Sequence, residues 1–75
     1  MKMDELVEER EEEDEELRRL RRESADWEYI EKLPERVKAA ILLYIDTGDL
    51  WRSAKLAGMK VEEFNELRIK AGILW

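Results

Sequence analysis

Six polar side chains in the C-terminal half have the types and spacing to meet duplex DNA: Arg52, Lys55, Lys60, Asn65, Arg68 and Lys70. Lys and Arg neutralise phosphates and release counterions, the main source of duplex affinity. Asn can read an adenine edge, and Glu can accept from cytosine. Interleaved with these residues are Glu62, Glu63 and Glu66, which a polyanion repels. The same bases also suit a solvated face partnered by nearby acids.

Other chemistries lack their parts. The chain has no His and no Cys. Disulfides and thiol-ligated zinc are therefore excluded, and the common catalytic constellations cannot be built. Asp46-Thr47-Gly48-Asp49 is too short for a calcium loop. Carboxylates crowd the N-terminal part, but nothing there builds a buried pocket to tune them. The chain is expected to be no enzyme and to need no metal or cofactor.

The elements that position the six polar residues can be read from spacing. Asp49 is a good N-cap, Leu50, Ala54 and Ala57 share one helical face, and Gly58 stops that helix. A short turn through Met59 and Lys60 leads to a last helix from Val61 to about Ala71. A helix-turn-helix needs a small residue where its helices touch and often a glycine at the turn. Ala54, Gly58 and Phe64 meet those needs, with Leu50, Met59 and Leu67 completing the core. An ordinary helical hairpin is the competing reading. Before this unit, Val37, Ala40, Ile41, Tyr44 and Ile45 repeat at helical spacing, ending at Thr47-Gly48.

Residues 1–33 carry fourteen acids and seven bases, whereas residues 34–75 carry six acids and seven bases. The net charge of −6 thus comes from an acidic N-terminal arm joined to a near-neutral domain. Pro34 divides them, since the residue before proline is pushed out of helical geometry. The expected fold is all-α: a helical arm over 1–33, partly disordered or partner-bound, then a compact three-helix domain over 34–75. The run Glu8 to Glu16 should repel itself, while Asp14 with Arg18 and Glu15 with Arg19 favour helix. The arm is either one long helix or is broken at Ser24–Asp26, both ends of which are N-cap types. Leu17, Leu20, Trp27 and Ile30 are its candidate anchors for a partner, although a solubilising tail would look similar.

A chain of 75 residues buries a modest core and is usually helped by association, so a homodimer is expected. No apolar run reaches the roughly 18 residues of a membrane span, and the N-terminus is not a signal peptide, so a cytoplasmic protein without membrane contact is expected. Charged residues form 45% of the chain, Gln is absent and Asn65 stands alone, a bias of hyperthermophile proteins.

The stretch Leu43 to Ile73 resembles a small prokaryotic family of helix-turn-helix proteins classed with VapB-type antitoxins. The matching pieces are Tyr44 and Gly48, the segment Leu50 to Gly58, and Gly72-Ile73. The resemblance implies an archaeal regulator of a toxin–antitoxin system, often paired with a PIN-domain toxin ribonuclease. It covers less than half of the chain, and the acidic arm has no counterpart in the pattern. The competing function is a protein–protein adaptor of the same shape that never meets nucleic acid.

Overall fold

A computed structural model describes residues 15–75 of the chain. Among these residues every regular element is helical: α1 over 15–24, α2 Trp27–Glu31, α3 Glu35–Thr47, α4 Leu50–Ala57 and α5 Val61–Lys70. The helices pack in sequence, α3 on α4 and α4 on α5, with α2 laid against α3.

Each boundary has a local cause. Asp26 is extended (φ −86°, ψ 91°), and its carboxylate accepts the Tyr29 N–H at 3.1 Å, which ends α1 and starts α2. Asp49 does the same for α4, accepting the Arg52 N–H at 3.0 Å. Pro34 stands immediately before α3 with ψ 147°, outside the helix rather than in its first turn. Gly58 ends α4 in the left-handed conformation, φ 70°. There the Met59 N–H reaches the Ala54 carbonyl and the Gly58 N–H the Lys55 carbonyl, a Schellman pair that needs no Cβ at Gly58. The pattern recurs at the end of α5, where Ile73 donates to Arg68 and Gly72 to Ile69.

Phe64, Ile30, Ile41 and Ile73 are the largest wholly buried apolar side chains. Phe64 meets Tyr44 edge-on, with ring centroids 6.1 Å apart. Ala40, Ile45, Ala54, Ala57 and Ala71 fill the space between them. The core does not stop at Pro34, because Ala25 and Ile30 belong to it, and Tyr29 and Leu33 pack against it. The physical reason is size: some forty residues alone offer too little interior, and α2 adds to it.

A continuous helix from residue 2 to 31 is therefore not the architecture; the chain breaks at Ala25–Asp26. The acidic run from Glu8 onward lies mostly outside the described residues, as do Asp14 and its expected pairing with Arg18. Arg18 reaches α3, donating to the Asp46 carbonyl at 2.9 Å beside an ion pair with the Asp46 carboxylate at 3.6 Å.

Arginines close several helix ends. Arg21, buried in the core, donates through Nε to the Ile45 carbonyl at 2.9 Å. Arg36 donates to the Leu56 carbonyl at 2.8 Å, whereas Arg68 holds the Ile73 carbonyl, beyond the end of α5, at 2.8 Å. The last carbonyls of a helix lack intrahelical partners and carry the negative end of its dipole, so a guanidinium there satisfies both. Arg21 and Arg68 also stand 5.9 and 5.6 Å from the centroid of the Tyr44 ring, within cation–π range.

Candidate nucleic-acid interface

The helix-turn-helix core assembles as its spacing implies. Ala54 and Phe64 are buried at the α4–α5 contact, and Leu50, Met59 and Leu67 pack half-buried around it. Gly58 turns the chain between the two helices. The structure adds Ser53, wholly buried on α4, whose Oγ has no hydrogen-bond partner among the described residues.

Beside this clamp lies an open groove bounded by the start of α4 and the α4–α5 turn. Trp51, Arg52, Lys55 and Lys60 line its walls, and Ala54, Met59 and Val61 its apolar parts. Asp49 is the acid in that lining, and its carboxylate is engaged by the Arg52 backbone N–H. Among the described residues none of Arg52, Lys55 and Lys60 is ion-paired. A second shallow groove runs along the other side of α4, between Arg36, Leu43 and Leu56, and shares Arg52 and Lys55 with the first. One turn of α4 therefore presents its two cations to both grooves.

Trp51 is the feature that sequence reasoning missed. It is 74% exposed, the most exposed large apolar side chain among the described residues. Its signal was present: one turn before Lys55, it lies off the Leu50, Ala54 and Ala57 face that α4 buries. An indole beside three cations can stack on a sugar or base, cover an aliphatic stem, or receive a cation on its face.

The six candidate contact residues separate into three sets. Arg52, Lys55 and Lys60 share the first groove. Asn65 and Arg68 are committed elsewhere: Arg68 Nε donates to Asn65 Oδ1 at 2.7 Å while Nη1 holds the Ile73 carbonyl. Arg68 also covers the Tyr44 ring, so both side chains tie α5 to the C-terminal tail. Lys70 is exposed at the last turn of α5, away from the groove. The exposed residues at the start of α5 are Glu62, Glu63 and, one turn on, Glu66.

The four partner-binding candidates also divide. Leu17 is exposed and Leu20 half-buried on α1. Trp27 is partly exposed, with its indole N–H donating to the Arg22 carbonyl at 3.1 Å. Ile30 is wholly buried in the protein's own core and offers nothing to a partner in this fold. The hydrophobic periodicity that marked these four was partly the signature of burial within the chain.

No family model matches the chain, and neither a curated protein nor a solved structure matches it. Among the described residues there is no group of acidic, His or Cys side chains that could hold a metal ion. Nor is any helix among them long and apolar enough to cross a membrane.

Proposed function

We propose that this chain is a small helix-turn-helix regulator of the antitoxin kind, working as a homodimer and without catalysis. Its nucleic-acid contact is made chiefly by α4 and the following turn, on phosphates. The observation that carries this reading is the groove of Trp51, Arg52, Lys55 and Lys60 beside the Ala54–Phe64 clamp. In a helix-turn-helix the first helix crosses the DNA backbone and the second enters the major groove. In that arrangement Arg52 and Lys55 on α4 would face phosphates.

Base reading by α5 is weak in this scheme. Glu62, Glu63 and Glu66 are exposed on it, and Asn65 is held by Arg68. Phosphate contacts position a protein without conveying sequence. Affinity is therefore expected to be salt-sensitive and tolerant of sequence, with two copies needed to reach useful strength. The acidic N-terminal arm is the part that would meet a basic protein such as a PIN-type ribonuclease, with Leu17, Leu20 and Trp27 as its apolar contacts.

The same three glutamates favour a second reading, a protein–protein adaptor that keeps the fold and dispenses with nucleic acid. Mobility shift of a mixed-sequence duplex at low salt separates the two. A shift lost on Lys55→Glu supports the regulator. Absence of any shift, with recovery of a non-nuclease partner from native lysate, supports the adaptor.

A further inference from the structure

Ile69 is a large apolar residue that the core does not use. It is 48% exposed near the end of α5. Leu74 and Trp75, just beyond Gly72, are 66% and 53% exposed. Their segment is held to that end of the helix, because the Gly72 and Ile73 N–H groups donate to the Ile69 and Arg68 carbonyls. Together the three side chains present apolar surface on the order of 300 Å², a size that marks interaction sites on small proteins.

The charges beside Ile69 indicate what covers it. Helical spacing puts Glu62, Glu66, Ile69 and Lys70 on one stripe of α5, and all four are exposed. Two such stripes laid antiparallel, with a twofold axis level with Arg68, complement each other. Glu66 of each copy then faces Lys70 of the other, so the pair forms twice. The two Ile69 side chains lie about 3 Å apart along the helix direction and meet across the axis. A parallel pairing would set Glu66 against Glu66.

Other exposed apolar residues lack this match. Trp51 and Leu56 on α4 stand beside Arg52 and Lys55, which a twofold contact would bring against their own copies. Leu42 on α3 has Asp46 one turn away, and Arg18 of the same chain already holds that carboxylate.

We infer that the exposed stripe of α5, centred on Ile69 and extended by Leu74 and Trp75, is the contact surface for a second copy of this chain. This surface deepens the homodimer proposed above and rests on it. It also gives Glu66 a role that a DNA-reading helix does not, since the paired stripe is withheld from a major groove. The α4 groove lies at the opposite end of α5, beside Lys60 and Val61, so two copies keep their grooves at the outer ends of the dimer.

The test is sedimentation equilibrium of the full chain from about 5 to about 500 μM. The native chain is expected to dimerise. Glu66→Lys and Lys70→Glu each set like charges opposite at two places, and each is expected to raise the dimer Kd at least roughly tenfold. Both together restore the pairing and should bring Kd back to within about threefold of native. Ile69→Lys is expected to leave monomer, and Leu42→Lys to leave the dimer intact. All four positions are exposed, and circular dichroism checks that each variant keeps native helicity. A native chain that stays monomeric overturns the inference together with the homodimer. A native dimer that survives Ile69→Lys, or that yields to Leu42→Lys instead, overturns the inference and leaves the homodimer on another surface. Charge reversals that weaken the dimer singly without recovery in the double variant overturn the antiparallel pairing.

Discussion

The backbone N–H of Asp26 donates to the carbonyl of Ala71 at 2.7 Å. This bond joins the α1–α2 break to the end of α5, residues far apart in sequence. Its neighbourhood is tight. A Cβ added to Gly72 would lie 2.8 Å from the Ser24 carbonyl oxygen and 3.3 Å from the Asp26 nitrogen. The N-terminal half is thus locked onto the helix-turn-helix unit through backbone at close range.

Gly72→Ala is expected to be among the most damaging single substitutions. Gly72 has φ 81°, where a Cβ is disfavoured by about 1–2 kcal/mol before any clash. The obstructing atom is backbone and cannot swing away. Gly48→Ala meets instead the end of Arg21, 3.0 Å away, which can give way. Thermal unfolding of both variants should show the larger loss at Gly72, and equal losses would argue that the Ser24 contact is not made.

Arg21 couples α1 to the end of α3 through one bond and the Tyr44 ring. Arg21→Met keeps the buried stem but leaves the Ile45 carbonyl without that donor, at a cost of about 1–3 kcal/mol. For a chain of this size the midpoint should fall by roughly 4–8 °C per kcal/mol. Arg21→Lys should recover little, because an ammonium lacks the planar fork. Full recovery by Lys in a denaturant titration would mean that charge alone matters here.

Ser53→Ala is expected to be neutral or stabilising by up to about 1 kcal/mol. The hydroxyl is buried and unpartnered among the described residues, so removing it relieves desolvation and opens only a small void. A clear loss of stability by chemical denaturation would indicate a partner for Oγ.

Much of this arrangement was legible in the sequence. Asp26 and Asp49 cap as their types suggest, and Gly48, Gly58 and Gly72 all have positive φ. These features are local, set by a side chain and its nearest backbone. The α4–α5 core was equally readable, because Ala54, Gly58 and Phe64 fall at helix, turn and helix spacing. The alliance of α2 with the core was not. Ile30 reads the same whether it anchors a partner or fills the chain's own interior, and only tertiary packing decides. Asn65 and Arg68 looked free for the same reason: their engagement depends on where Ile73 returns in space. Trp51 was overlooked because periodicity searches for buried residues and is silent about an apolar side chain left outside.

Trp51→Ala should separate stability from binding. The side chain is largely exposed, so its loss should leave stability within about 0.5 kcal/mol of the native chain. Duplex affinity should nevertheless drop, by about 1–3 kcal/mol if a base stacks on the indole. An unfolding midpoint that falls several degrees would instead make Trp51 a packing residue.

The central claim is that Arg52, Lys55 and Lys60 form a phosphate-binding groove. Its most direct test is equilibrium binding of a labelled mixed-sequence duplex as a function of salt, by fluorescence anisotropy. Three phosphate contacts per protomer give a log–log slope near −2.7, a loss of roughly 40-fold between 50 and 200 mM salt. Arg52→Glu combined with Lys55→Glu should remove most of that slope along with the affinity. Binding that keeps its slope in the double variant, or no binding by the native chain at about 50 mM salt, would contradict the account.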